Sequence, residues 1–145
     1  MILLDSNVYI RSFNDTAFGE EFLRFHRDKL PELVLSVIVL TELLVGADSP
    51  DREKALRRGI VEPFSARNRI HVPPRQTWEM AAEVDRRIRA LGGLEASLAQ
   101  RSFFNDMLFA ASARQLGATI VTQNLADFTL IQRVLDIRFT GPWPS

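Results

Sequence analysis

The chain has 145 residues, enough for one domain over residues 1–145 with a core of its own. Hydrophobic residues make up 46% and charged residues 25%, and no stretch approaches the roughly 18 consecutive apolar residues of a membrane helix. The 18 basic and 18 acidic residues cancel, so the whole molecule exerts no net pull on nucleic acid, and the absence of cysteine excludes disulfides, thiolate metal sites and cysteine nucleophiles.

Residues 1–8 form a continuous apolar run ended by Asp5-Ser6-Asn7, the pattern of a buried parallel strand with a polar end. The opening MILLDSNVYI lacks a basic n-region and carries Asp5, so it is not read as a signal peptide, and cytoplasm is the expected compartment. Asn14 and Asp15 are capping candidates for a helix with Phe18, Phe22 and Phe25 on one face. Residues 33–37 are a second strand. Ser36 caps the helix after it, whose apolar positions are Val39, Leu40, Leu43 and Leu44, with Gly46 near its end. Pro50-Asp51 opens a third helix with Leu56, Ile60 and Phe64 at spacing four, and Pro63 is expected to distort its last turn. Residues 70–72 are a short strand. Pro73-Pro74 then leads into a long helix with Trp78, Ala81, Val84, Ile88 and Leu91 inward, stopped by Gly92-Gly93. Ser102 is the expected cap of a further helix, with Met107, Leu108, Ala111 and Leu116 apolar and Gly117 at its end. Residues 118–121 form a strand, Asn124 starts a short helix through Ile131, and residues 137–139 form the last strand. There is no internal repeat, low-complexity tract or linker.

Strands alternating with helices predict an α/β fold of three layers, α/β/α, with a central, mainly parallel sheet flanked by helices. In such folds sites gather beyond the carboxyl ends of the strands, near a switch in strand order. Several acids fall there. Asp5 lies at the end of an apolar strand, where a carboxylate is costly without compensation; the structural alternative is a turn made by bonding the amides of Asn7 or Val8. Glu42, in VIVLTELLVG, has apolar neighbours on nearly every side, or else forms a polar face with Thr41. Asp106 is placed in the first turn of the helix capped by Ser102, where the helix dipole alone would explain it. Asn124 and Asp127 match a capping box, a structural explanation that needs no site.

Carboxylates converging on one sheet edge repel one another and raise one another's pKa, and a divalent cation relieves that repulsion. An all-oxygen donor set without cysteine or a suitably spaced histidine pair favours Mg²⁺ or Mn²⁺ over Zn²⁺. Such a centre activates water and neutralises phosphodiester charge, making phosphodiester hydrolysis the natural reaction class. His26 and His71, the two histidines, are read as structural, which argues against a two-histidine ribonuclease mechanism.

At these acids the sequence resembles the PIN domain and, within it, the VapC-type toxins of bacterial toxin–antitoxin pairs. LLDSNVYI looks like the family's opening strand motif. LSVIVLTELLVGA is similar to its second block, and NDMLFAASARQLGATIVTQNLADF to its third and fourth run together. The resemblance covers nearly the whole chain. It implies that Asp5, Glu42 and Asp106 hold the metal, as catalytic and metal-binding acids. The fourth family acid lies after Thr122. Asn124 stands where many members have Asp, and Asp127 follows three residues later, so the fourth ligand is Asn124, Asp127, a water or none. Ser6 and Thr122 carry hydroxyls that could orient an acid or a water.

The resemblance further implies an endoribonuclease acting on tRNA or ribosomal RNA, a VapB-like antitoxin that masks the site, and a homodimer built into a larger toxin–antitoxin complex. Arg11, Arg67, Arg69, Arg86, Arg87 and Arg89 are candidates for RNA backbone contacts, against the plainer reading of solvated helix faces. Two related readings stay open: a housekeeping RNA-processing nuclease of the same chemistry, and an inactive PIN-fold binding module. A phosphoaspartyl enzyme is disfavoured, since Asn7 sits where a haloacid-type phosphatase needs an acid and no Lys follows Lys54, as a receiver requires.

Overall fold

A computed structural model describes residues 1–144. Five strands, β1 (Ile2–Leu4), β2 (Leu33–Ser36), β3 (Ile70–His71), β4 (Thr119–Val121) and β5 (Arg138–Thr140), form one sheet in the order β3-β2-β1-β4-β5. Every neighbouring pair is parallel, with Ile2 opposite Leu33 on one side and Thr119 on the other. The all-parallel sheet accords with the expected α/β/α layers. From β1 the chain steps outward through β2 to β3, then returns to the far side of β1 for β4 and β5. Right-handed crossovers therefore place the helices before β3 on one face and those after it on the other.

The strands are short because their apolar runs break early. Asp5 ends β1, and the chain turns at once into α1 (Ser6–Asn14), a helix hidden within the expected residues 1–8 strand. Asp5 is its N-cap. Asn14 closes α1 and caps nothing; Asp15 alone caps α2 (Thr16–Lys29), accepting from the Phe18 amide at 3.1 Å. Ser36 caps α3 (Val37–Gly46) as expected, accepting from the Ile38 amide at 3.2 Å.

The third helical stretch starts at Pro50 and comes in three pieces: α4 (Pro50–Leu56), a π-helical segment (Arg57–Val61) and α5 (Glu62–Ala66). Pro63 lacks an amide hydrogen, and its ring presses on the carbonyl four residues back. The widened turn takes up that conflict, so the distortion lies before Pro63 rather than after it, and Phe64 is still fully buried.

Helix α6 (Arg75–Leu91) buries Thr77, Ala81, Val84 and Ile88, whereas Trp78 is 49% and Leu91 42% exposed. The inward face is thus rotated from the expected one. Buried Thr77 donates its hydroxyl to the side-chain Oε1 of Gln115 on the neighbouring helix, and the Trp78 indole donates to the Pro73 backbone carbonyl. After Gly92 and Gly93, both at positive φ, comes a short α7 (Glu95–Leu98) that the periodicity did not show. Helix α8 (Arg101–Leu116) begins one residue before Ser102, with Gln100 as cap and no side-chain cap bond, and ends at Gly117 in the left-handed conformation. Helix α9 (Leu125–Gln132) follows β4. The chain finishes with Trp143 packed on Phe18 and Phe25, ring centroids 5.0 and 4.9 Å away.

Candidate functional site

The strand order reverses between β1 and β4, and Asp5 and Thr122 stand side by side just beyond their carboxyl ends. The Asp5 amide donates to the Val121 carbonyl at 2.9 Å, carrying the ladder one residue past the strand. Asp5 is only 5% exposed. Its Oδ1 accepts from the Ser6 amide at 2.8 Å; its Oδ2 accepts from Thr122 Oγ1 at 2.7 Å and Asn7 Nδ2 at 3.2 Å. The cap to Ser6 realises a turn-forming role, although through Ser6 rather than Val8, with Asn7 contributing its side chain. The Thr122 bond goes beyond it and ties two strands together. Burial raises the Asp5 pKa, opposed by these hydrogen bonds.

Glu42 is half-buried on α3, the helix that leaves β2. Its Oε2 accepts from Ser6 Oγ at 3.2 Å, which brings it beside Asp5. Burial and then the Asp5 charge raise its pKa.

Asp106 is the sixth residue of α8, so it lies in the second turn, and the first turn holds no acid. The helix-dipole explanation, confined to the first turn, fails with the helix start it assumed. Burial, then the charges of Asp5, Asp127 and Glu42 push the Asp106 carboxyl up to about 9. The Asn124–Asp127 capping box is also absent. Asn124 makes no side-chain cap bond; its Nδ2 donates to Asp106 Oδ2 at 3.1 Å and to Asp127 Oδ2 at 2.8 Å. Its backbone amide donates to Thr122 Oγ1 at 3.0 Å. The fold therefore brings Asp5, Glu42, Asp106, Asn124 and Asp127 to one edge of the sheet, linked through Ser6 and Thr122.

Among the described residues, no three His, Cys, Asp or Glu side chains are gathered into a set that could hold a metal ion as they stand. Each carboxylate leans on a local donor instead. The donor chemistry nevertheless fits a hard divalent ion. Every candidate ligand is oxygen, and Asp106 feels three other negative charges.

The histidines are not part of this arrangement. His26 lies between Phe22 and Phe64, with centroids 5.3 and 5.6 Å away, and the Nε2 atoms of His26 and His71 are buried without partners among the described residues. The candidate RNA-contacting arginines are already engaged. Arg11 pairs with Asp15 and lies over Phe18; Arg67 and Arg69 donate to the carbonyls of Pro63 and Leu33. Arg86 and Arg87 pair with Glu83, and Arg89 with Asp85. Arg11, Arg86, Arg87 and Arg89 lie exposed on helices, whereas Arg67 and Arg69 lie outside them and Arg69 is half-buried.

Two features escaped the sequence. Asn7 is an organiser: besides its bond to Asp5, its Nδ2 reaches Thr122 Oγ1 at 3.3 Å and its Oδ1 accepts from the Gln123 amide at 3.1 Å. The only signal was its spacing two residues from Asp5. The second is a groove of about 910 Å³ between α1, α2, α3, α4 and the π-helical segment after it, lined by Ile10, Phe13, Leu23, Leu43 and Ile60 and reaching Glu42. Ile10, Phe13 and Leu23 are exposed there, and no periodicity within one helix reveals a groove made by several.

The family model described as PIN domain matches residues 2–131. No curated protein matches the chain significantly. A chain in the structure of FitAB bound to an IR36 DNA fragment is similar with TM-score 0.74 and 21% identity, over 100% of this chain and 97% of that one. DNA-bound VapBC from Salmonella typhimurium gives 0.65 and 26%, over 97% and 96%. A toxin–antitoxin complex from Klebsiella pneumoniae gives 0.62 and 16%, over 100% of both.

Proposed function

The chain belongs to the PIN domain family, and from that premise we propose that it is a Mg²⁺- or Mn²⁺-dependent endoribonuclease, the toxin of a VapBC-type toxin–antitoxin pair. The observation that supports the reading is the chain of hydrogen bonds at the strand switch, which links Glu42 to Asp5 through Ser6 and Asp106 to Asp5 through Asn124 and Thr122. Asp5, Glu42 and Asp106 are the residues that would hold the ion. A divalent ion there supplies positive charge for a phosphodiester's oxygens and makes an attacking water more acidic.

The chain's own part is positioning. Thr122 and the Ser6 amide fix the two Asp5 oxygens, and Ser6 Oγ fixes one Glu42 oxygen. Without a cation, Asp106 holds its proton at neutral pH because its pKa lies at about 9. The substrate belongs to the tRNA or ribosomal RNA class. The partner is a VapB-like antitoxin, supported by the similarity to FitAB, VapBC and toxin–antitoxin structures. The apolar groove beside Glu42 suits a partner's apolar segment, which would cover the site from there. The working form is a homodimer within a larger cytoplasmic complex.

Purified protein incubated with tRNA and ribosomal RNA and Mn²⁺ tests the reading. Cleavage is expected, lost in EDTA and reduced at least about 100-fold in Asp5→Asn, the scale on which an essential charged group acts in a polar active site. Undiminished cleavage by Asp5→Asn would sink it.

A further inference from the structure

Asn124 occupies the N-cap position of α9, yet its side chain does not cap that helix. Both hydrogens of its amide nitrogen go to carboxylates, Asp106 Oδ2 at 3.1 Å and Asp127 Oδ2 at 2.8 Å. Its main chain is anchored as well: the backbone amide donates to Thr122 Oγ1, which itself donates to Asp5 Oδ2. The side-chain amide is thus held in register with Asp5 while it spans two acids on different helices, α8 and α9.

We propose that Asn124 is a positioning residue that restricts the centre to one divalent ion, because its amide cross-links Asp106 to Asp127 and so occupies one oxygen of each acid. The inference rests on the reading of Asp5, Glu42 and Asp106 as the residues that hold an ion. Two-ion phosphodiester centres need acids shared between cations roughly 3.5–4 Å apart. Here Asp106 gives one oxygen to an amide N–H, and Asp127 is turned to the same nitrogen. A second ion would have to expel that amide and forfeit both of its hydrogen bonds. Asn124 would offer in exchange only a neutral carbonyl oxygen, a weak return for a hard cation. A carboxylate at position 124 reverses each term. It has no hydrogen to donate, releases Asp127, and adds a charge between two others.

The test is a Mn²⁺ titration of the full chain, with free Mn²⁺ followed by electron paramagnetic resonance and heat by calorimetry. The wild type is expected to bind one Mn²⁺. Asn124→Asp is expected to bind two, the second within about tenfold of the first in affinity, and to melt lower than wild type in EDTA. Adding Asp127→Asn to that variant returns it to one. Asn124→Ser removes the cross-link without adding charge and admits a second, weaker Mn²⁺, so it decides the matter if Asn124→Asp does not fold. Two ions in the wild type, or one in both Asn124 variants, overturns the inference and leaves the metal centre standing. No Mn²⁺ bound by the folded wild type overturns the metal centre and the inference together.

Discussion

Thr122 carries no charge, yet three groups of the acidic edge meet at its hydroxyl. It donates to Asp5 Oδ2 and accepts from the Asn124 backbone amide and Asn7 Nδ2, while its own backbone amide extends the β4–β5 ladder to the Thr140 carbonyl. Fully buried, it cannot exchange these partners for water. Thr122→Val keeps the shape and removes the hydroxyl, leaving an Asp5 lone pair and an amide unanswered. We expect RNA cleavage to fall about 10- to 100-fold, the usual effect of losing a group that orients a metal-holding side chain. Thr122→Ser is expected to stay within about threefold, and equal rates in the two variants would show that the hydroxyl does nothing. Ser6 was legible in the sequence as the hydroxyl next to the strand-end acid Asp5, and Thr122 through the block that resembles the PIN domain. Asn7 was not, since its importance lies in reaching Gln123 and Thr122, distant in the chain.

At the scale of elements, the tightest constraint is the crossing of α1 and α2. A Cβ built on Gly19 would lie 2.7 Å from the Ser12 carbonyl oxygen, which is backbone and cannot rotate aside. Gly19→Ala must therefore push the two helices apart. The expected cost is about 1–3 kcal/mol, read as a Tm loss of roughly 2–4 °C per kcal/mol in a chain of this size. An unchanged Tm would mean that α1 shifts freely. Because α1 begins at Ser6 and carries the Asp5 contacts, the same variant should weaken Mn²⁺ binding. Helix starts also governed how Asp106 was understood. Moving the start of α8 from the Ser102 cap to Arg101 takes Asp106 out of the first turn, and the dipole explanation with it.

For the whole molecule, the buried histidines set a pH limit that the acidic edge does not. Burial lowers the His26 pKa, and His26 faces Phe22 and Phe64 without an acid to pair with. Above the ordinary histidine value of about 6.5 both folded and unfolded chains hold it neutral, so it has no effect on stability. As pH falls below that value, the unfolded chain takes up a proton that the folded chain resists, and stability is lost. The raised acids, Asp5, Glu42 and Asp106, act in the opposite sense in metal-free protein, favouring the fold as pH falls. Comparing wild type with His26→Leu in EDTA cancels their share. The variant's Tm should drop less between pH 7 and pH 5, with the gap widening as pH falls. Parallel curves would show that His26 does not titrate in this window.

The alternating apolar runs determined the class of fold by themselves, since continuous strands covered on both faces and linked by helices leave little but a parallel sheet. The three ordered blocks that resemble the PIN domain likewise singled out Asp5, Glu42 and Asp106 before any contact was known. The strand order was beyond the sequence, because pairing β4 beside β1 is a long-range choice that no local pattern encodes. That choice alone puts Thr122 on Asp5, 117 residues away. It also turns Asn124 from an ordinary helix cap into a bridge between two acids. A side chain's hydrogen-bond partners are set by which elements arrive beside it, and at this edge those elements come from opposite ends of the chain.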